Sequence, residues 1–259
     1  MSVLMRPWGH LHYRARGPQG GLPVVLLNSL GTDLRMWESV VDRLPDLYCI
    51  GMDKRGHGLS ATPDTPWTID DLAADVVALI DHLGIARALI AGCSIGGIIA
   101  QLLGARHPDR VAGLVLSNTA PRVGTQASWD ARIAAIREGG LAAIAPSILE
   151  RWFAPGFLAS DDVKPWATML IRNDPAGYIG NCSVLAAVDL TELTPTITAP
   201  TLCLTGTVDR STPPDLVRAM AATIPGAQVL LLEGSGHIPA IDAPEAVAGL
   251  IRTFHRGLA

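Results

Sequence analysis

The sequence lacks the features with which a chain usually binds nucleic acid or an anionic membrane. Lysine occurs only at Lys54 and Lys164, no run of basic residues is present, and the formal net charge is −4. We therefore expect no nucleic acid and no anionic membrane among its partners. No apolar run reaches about 18 residues without a charge or a breaker, so we expect no membrane span. The first residues show no apolar stretch behind a basic region, so we expect no secretory signal.

Cysteine is scarce and scattered along the chain. The four cysteines form no C-x-x-C pair, and three of them lie in apolar runs; they are Cys49, Cys93, Cys182 and Cys203. We expect buried, reduced thiols and a cytoplasmic location. The chain also lacks a G-x-G-x-x-G motif after a strand, a Walker loop, an H-E-x-x-H pair and a cluster of metal ligands. We therefore predict no cofactor and no metal.

The chain is rich in apolar sequence, since 49% of its 259 residues are hydrophobic, enough for a large core. Short apolar runs alternate with helical patterns in its first half, and the same rhythm resumes near its end. Continuous runs of Val, Ile and Leu indicate a parallel sheet with helices on both faces. Strands are predicted at residues 24–27, 47–52, 88–93, 111–117, 201–205 and 227–232, and helices at 34–44, 69–83, 95–106, 213–224 and 244–255.

Residues 121–190 differ from their surroundings, because they read as helical, contain no good strand and include three of the six tryptophans. We therefore predict that residues 1–120 and 191–259 form an α/β core into which residues 121–190 are inserted as a helical cap. A hairpin near residues 3–14 would add antiparallel strands at one edge. The predicted fold class is α/β, a mostly parallel, doubly wound sheet with a helical cap insertion.

A G-x-S-x-G motif lies at the point where a predicted strand meets a predicted helix, in the segment Gly92-Cys93-Ser94-Ile95-Gly96. That context is typical of a nucleophile elbow, a tight turn that exposes a serine hydroxyl. Small neighbours are needed because the strand and helix backbones pass close to the turn. Ser94 is therefore the candidate nucleophile, and the helix N-terminus places N–H groups beside it.

A serine nucleophile requires a base and a carboxylate, and two loops offer them. His237 follows the last predicted strand, so it can converge with Ser94 at the edge where parallel strands end. Asp209 follows another strand and completes the chain order serine, aspartate, histidine. The alternatives are a backbone-satisfied loop histidine at position 237 and a helix-capping aspartate at position 209.

The remaining histidines have simpler explanations. His57 lies in a glycine-rich loop and is expected to order that turn. Two histidines lie at the ends of predicted helices, where a charged imidazolium interacts favourably with the helix dipole. Three others lie near the termini of the chain, and we expect their side chains to be exposed to solvent. The former are His82 and His107, and the latter are His10, His12 and His255.

An oxyanion hole requires two N–H donors that point at the developing negative charge. The backbone N–H of Ile95, directly after the candidate nucleophile, is the first. The second should come from the loop NSLGTD after the first parallel strand, where Leu30 is preferred and Ser29 is the alternative.

On these motifs the chain resembles the α/β-hydrolase superfamily over nearly its whole length, and within it the 3-oxoadipate enol-lactone hydrolases. The chain differs from the pattern of that group at four positions near the site, Cys93, Ile95, Ser117 and Pro121. These differences bear on which substrate is preferred and leave the expected reaction type unchanged. The resemblance is carried by the segments LLNSLGTDLRMW, DKRGHGLS, LVLSNTAPRVG, LERWFAP and NDPAGYIGNCSVLAAVDL.

The resemblance implies that a Ser-His-Asp triad opens a small anionic enol-lactone through an acyl-enzyme, without a cofactor, in the β-ketoadipate route of aromatic breakdown. Because such a substrate carries a carboxylate, a cationic or hydrogen-bonding partner is expected in the insertion. The candidates are Arg132 and Trp152, followed by Arg137 and Arg151.

Three alternative functions stay open at this point. They are a general carboxylesterase, a carbon–carbon bond hydrolase of ring-fission products, and a non-catalytic ligand-binding module on a hydrolase fold. A second copy of the chain stays open as a partner.

Overall fold

A computed structural model describes residues 2–258 of the chain. Eight strands form one sheet: β1 (Ser2–Arg6), β2 (Gly9–Arg16), β3 (Val24–Leu27), β4 (Cys49–Met52), β5 (Ala88–Cys93), β6 (Val111–Ser117), β7 (Thr201–Gly206) and β8 (Gln228–Leu232). Their order across the sheet is β1-β2-β4-β3-β5-β6-β7-β8. The pairings of β1 with β2 and of β2 with β4 are antiparallel, and all the others are parallel. The predicted sheet and its antiparallel edge are confirmed.

Helices flank this sheet on both faces. Every residue of β3, β5, β6 and β7 is buried, and successive residues of a strand point to opposite faces, so both faces are covered. No helix within residues 2–258 is both long and apolar enough to cross a membrane. The helices are α1 (Glu38–Val41), α2 (Ile69–His82), α3 (Ile95–Arg106), α4 (Gln126–Trp152), α5 (Pro155–Leu158), α6 (Lys164–Ile171), α7 (Pro175–Ala187), α8 (Pro214–Thr223), α9 (Pro239–Asp242) and α10 (Pro244–Arg256).

The segment between β6 and β7 is helical, and it carries α4 to α7. Helix α4 packs along α7 and α6, and it is interrupted at Gly140, whose left-handed φ of 69° joins two helical segments. This arrangement fits the predicted insertion at residues 121–190. The division into core and cap stays a prediction, and the two terminal residues of the predicted core, 1 and 259, lie outside the described residues.

Two histidines that were expected to be solvated are buried instead. His12 lies on β2, its backbone N–H donates to the Ser60 hydroxyl, and its Nδ1 is 2.7 Å from Asp53 Oδ2. His255 lies on the buried side of α10, with its Nε2 2.7 Å from the carbonyl oxygen of Leu22. The expectation was wrong because closeness to a chain end says nothing about whether another segment of the chain contacts the residue. All four cysteines are free and buried, as predicted.

Backbone segments approach each other closely where β5 turns into α3. A Cβ atom added at Gly92 would lie 2.2 Å from the carbonyl oxygen of Gly96, and one added at Gly96 would lie 2.4 Å from that of Leu27. Both obstacles are backbone atoms, which no side-chain rotation can move. Glycine is therefore required at both positions for the helix to start directly at the strand end.

Replacing Gly96 by alanine tests this packing. We expect Gly96→Ala to lower the free energy of unfolding by at least about 3 kcal/mol, because the clash is with backbone in a close-packed core. The matched control is Gly249→Ala in α10, where an added Cβ would meet no atom within 4 Å. That change should raise stability by about 0.5–1 kcal/mol. Urea unfolding measures both, and a Gly96→Ala protein as stable as the wild type would contradict the packing argument.

Candidate active site

The candidate nucleophile Ser94 lies in the turn between β5 and α3 with φ 56° and ψ −120°, a strained conformation for a residue with a side chain. The end of β6 holds this turn in place. The Ser94 N–H donates to the carbonyl oxygen of Ser117 at 3.0 Å, and the hydroxyl of Thr119 donates to the Ser94 carbonyl oxygen at 2.8 Å. The turn therefore exposes the hydroxyl at the carboxyl edge of the sheet, as an elbow requires.

The candidate base and acid meet after β7 and β8. His237 Nδ1 lies 2.9 Å from Asp209 Oδ2, and both side chains are buried. The backbone N–H of His237 donates to the carbonyl oxygen of Trp152 at 2.7 Å, so the end of α4 holds the histidine loop. The sequence predicted both residues at this edge because each follows a predicted strand, and in the structure their side chains are in contact.

Asp209 is held as a carboxylate by its surroundings. Burial alone would raise its pKa, but the charge of His237 and the donated hydrogen bonds outweigh burial and lower the pKa of Asp209 to about 2. Its Oδ2 accepts from Asn118 Nδ2 at 2.9 Å and from the Thr212 hydroxyl at 2.7 Å, and its Oδ1 accepts from the Ser211 N–H at 2.7 Å. An ionised acceptor at Nδ1 keeps the proton there and leaves Nε2 of His237 free to act as a base.

Asn118 is a member of the site that the sequence interpretation missed. That interpretation searched the loop after β6 only for a carboxylate. Asn118 adopts a left-handed φ of 49°, and its Nδ2 donates both to Asp209 and, at 3.1 Å, to the carbonyl oxygen of Gly236. The signal that could have identified it is an asparagine, which tolerates such a φ, directly after the strand between those of Ser94 and Asp209.

A cavity of about 350 Å³ lies above this edge, between the sheet and the inserted helices. The side chains of Ser94 and His237 line it together, and Leu30 lies at its wall. Within residues 2–258 no hydrogen bond yet joins the Ser94 hydroxyl to His237. Such contacts are commonly longer without substrate and tighten when it binds, so this geometry is compatible with the predicted roles.

The loop that follows β3 places Leu30 at the wall of the cavity. Within the described chain, neither the Leu30 N–H nor the Ile95 N–H donates to a protein acceptor, and these are the two predicted oxyanion donors. Three neighbouring donors of the loop are occupied: the N–H groups of Ser29, Gly31 and Thr32 donate to Met36 Sδ, His57 Nε2 and the Ser29 carbonyl oxygen at 3.3, 2.9 and 3.3 Å.

His57 orders this loop, which agrees with its expected role. Its Nε2 accepts the Gly31 N–H, so the ring is neutral and carries its proton on Nδ1. Burial lowers the pKa of His57 well below its ordinary value, and the nearby charge of Lys54 lowers it further. His57 is therefore an acceptor for the loop backbone, and His237 is the histidine that faces Ser94.

The predicted substrate-binding residues are divided between the cavity and the surface. Arg132 and Trp152 both line the cavity, and so does Arg151. The guanidinium carbon of Arg132 lies 4.7 Å from the ring centre of Trp129, a cation–π contact that fixes its position. Arg137 is exposed and is absent from the cavity wall, so the structure gives it no part in the site.

Comparison with known proteins agrees with this geometry. A family model described as alpha/beta hydrolase fold matches residues 23–244. The chain is 35% identical over 239 residues to 3-oxoadipate enol-lactonase 2 of Acinetobacter baylyi, covering 91% of this chain and 89% of that protein. It is 31% identical over 251 residues to 3-oxoadipate enol-lactonase 1 of the same organism, covering 96% and 94%. The crystal structure of the enol-lactonase from Burkholderia xenovorans LB400 superposes with a TM-score of 0.94 at 37% identity, covering 98% and 99%.

Asp209→Asn tests the role assigned to the carboxylate. The amide removes the charge that would stabilise an imidazolium and favours the wrong tautomer of His237, so we expect kcat to fall on the order of 10³–10⁴-fold with the fold retained. Asp215→Asn makes the same change at a side chain that is 95% exposed and should leave kcat unchanged. Ester hydrolysis and circular dichroism measure the two effects. Full activity in Asp209→Asn would place the acid elsewhere.

Proposed function

This chain belongs to the α/β-hydrolase family, and from that premise we propose that it is a serine hydrolase that opens the lactone ring of 3-oxoadipate enol-lactone. One observation carries the proposal: the buried pair of Asp209 and His237 faces, across one cavity, the hydroxyl of a strained Ser94. The identity to two proteins named 3-oxoadipate enol-lactonase supports the choice of substrate.

The first step is attack on the lactone carbonyl. His237 Nε2 takes the proton of the Ser94 hydroxyl while the serine oxygen bonds to the carbonyl carbon. The carbonyl oxygen becomes an oxyanion and accepts the N–H groups of Leu30 and Ile95. A donor of this kind contributes about 3 kcal/mol to transition-state stability, and more in a water-excluded cavity than in water.

The second and third steps release the product. The ring carbon–oxygen bond breaks, the imidazolium of His237 returns its proton to the leaving enolate oxygen, and the enol becomes a ketone. The ring-opened acyl group stays bound to Ser94 as an ester. A water molecule then gives a proton to His237 and attacks that ester, which restores the serine hydroxyl and releases the dicarboxylate 3-oxoadipate.

Arg132 is proposed to bind the free carboxylate of the enol-lactone, the one that takes no part in the ring ester. Its guanidinium is held against Trp129 at the cavity wall, so little side-chain freedom is lost on binding. Trp152 supplies an apolar wall beside it and connects through its backbone to the histidine loop. Arg151 lines the same cavity and is the second candidate.

The alternatives differ in what the cavity must recognise. A general carboxylesterase acting on neutral esters would have no use for a positioned arginine at the wall, and a ligand-binding module would have no use for a strained serine. The carboxylesterase and the carbon–carbon bond hydrolase are separated from the lactonase by assaying each substrate class. The cytoplasmic location and a second copy of the chain as partner stay predictions.

Ser94→Ala tests the nucleophile. We expect turnover of enol-lactone and of p-nitrophenyl acetate to fall at least about 10⁴-fold, because the covalent route is lost. Ser147→Ala removes another hydroxyl from the wall of the same cavity and should keep kcat within about twofold, because that hydroxyl has no part in acyl transfer. Retained turnover in Ser94→Ala would show that another residue attacks.

Arg132→Met tests the carboxylate receptor. Loss of a charge-assisted contact should raise KM for the anionic enol-lactone about tenfold to a hundredfold and leave KM for a neutral ester unchanged. Arg137→Met, on the same helix but outside the cavity wall, is the matched control and should change neither value. An equal rise for the anionic and the neutral substrate would rule out charge recognition at Arg132.

A further inference from the structure

The carbonyl oxygen of Ser29 and the N–H of Leu30 belong to one planar peptide unit. The N–H is the proposed oxyanion donor, and on the other side of that peptide the ammonium nitrogen of Lys54 lies 2.5 Å from the carbonyl oxygen. We propose that Lys54 is a positioning residue for acyl transfer, which orients and polarises this peptide so that the Leu30 N–H binds the oxyanion more strongly. The inference rests on the serine-hydrolase function proposed above.

The burial of Lys54 is hard to explain by stability alone. Its exposed fraction is 3%, whereas the side chain of Lys164, the other lysine, is 73% exposed. Among residues 2–258 Lys54 forms no salt bridge with a carboxylate; its hydrogen bonds go to the carbonyl oxygens of Ser29 and, at 3.4 Å, Thr32. A buried ammonium carries a large desolvation cost that carbonyl groups offset only in part. Its charge is thus directed at the backbone of the oxyanion loop.

Three donors converge on the Ser29 carbonyl oxygen. Besides Lys54, the hydroxyl of Thr32 donates to it at 3.0 Å and the N–H of Thr32 at 3.3 Å. Hydrogen bonds that share an amide polarise one another in a low-dielectric interior, and a charged donor has the strongest effect. A peptide that is held and polarised at its oxygen presents a fixed and stronger donor at its nitrogen.

Titration of Lys54 supplies an independent way to observe this coupling. Burial lowers the pKa of Lys54 to about 7, although Asp53 and Asp33 oppose the shift. The ammonium therefore loses its charge as the pH rises through about 7, and the polarisation weakens with it. By linkage, an anion formed at the oxyanion hole must raise this pKa. The titratable groups around Lys54 are Asp33, Asp53, His57, Asp75 and Cys93, and Asp75 is paired with Arg55.

Lysine labelled with carbon-13 at Cε allows the coupling to be measured in the wild-type protein, because the chain contains two lysines. An aryl trifluoromethyl ketone supplies the anion: the Ser94 oxygen adds to its carbonyl carbon, the serine proton passes to His237, and the ketone oxygen becomes an oxyanion. We expect Lys54 to titrate near pH 7 in the free protein, and its midpoint to rise by at least about half a unit in the adduct. Lys164 is the internal control and should not move. An unchanged Lys54 midpoint in a fully formed adduct would overturn the proposal.

Lys54→Met tests the same coupling in the reaction. We expect kcat for p-nitrophenyl acetate to fall about tenfold at pH 6 with KM nearly unchanged, less than for removal of a whole donor because the N–H remains. Dividing kcat of the wild type by kcat of the variant removes the pH dependence that both proteins share. This ratio should decline as the pH rises through 7. A ratio near one at pH 6, or a loss confined to KM, would overturn the proposal. Lys164→Met is the matched control.

Two further measurements keep the test decisive if Lys54→Met does not fold. Thr32→Val removes the second side-chain donor to the Ser29 carbonyl and should lower kcat about threefold with KM unchanged, because a neutral hydroxyl polarises the peptide less than an ammonium. The carbon-13 titration uses the wild-type protein alone. A wild type that neither hydrolyses esters nor forms the ketone adduct would overturn the serine-hydrolase function and this inference together. A wild type that does both, with Lys54 unresponsive, would overturn this inference only.

Discussion

The constraint on which the site depends is the absence of a Cβ atom at Gly92 in β5 and at Gly96 in α3. Because Gly92 and Gly96 carry no Cβ, α3 starts against the strand itself and lies in contact with the backbone of Leu27 at the end of β3. That contact lifts Ser94 to the edge of the sheet and brings the N-terminal N–H of α3 to the same place. Because β3, β5, β6, β7 and β8 are parallel, the remaining loops of the site, which follow β3, β6, β7 and β8, lie at that same edge.

Two buried charged side chains near the cavity, Asp209 and Lys54, differ in how the protein compensates their charge. Asp209 receives hydrogen bonds from His237, Asn118 and the Thr212 hydroxyl, so its charge is compensated and its pKa is lowered. Lys54 has only carbonyl oxygens as hydrogen-bond partners within the described chain. Its pKa is lowered to about 7 because burying its charge is costly. The carboxylate is thus fixed in one state, whereas the ammonium stays responsive to charge in the oxyanion hole.

The sequence was sufficient for the parallel sheet, the helical character of the insertion and the elbow at Ser94, because these follow from local patterns of apolar residues and glycine. It also placed Asp209 and His237 at strand ends, where parallel topology makes distant loops converge. Asn118 directly follows a strand end, but it was missed because only a carboxylate was sought there. Lys54 could not be found in this way, since its role comes from a contact between segments far apart in the chain. The burial of His12 was missed for the same reason, because its side-chain partner Asp53 lies in a distant loop.

The central claim is that Ser94, activated by His237 and Asp209, attacks the substrate. A fluorophosphonate tests it most directly, because it reacts with an activated serine by losing fluoride and forming a stable serine–phosphorus bond. Intact-mass spectrometry with peptide mapping should find one adduct per chain, on Ser94, and hydrolytic activity should be lost in proportion to labelling. An adduct on a different residue, or complete labelling of Ser94 with activity retained, would contradict the account.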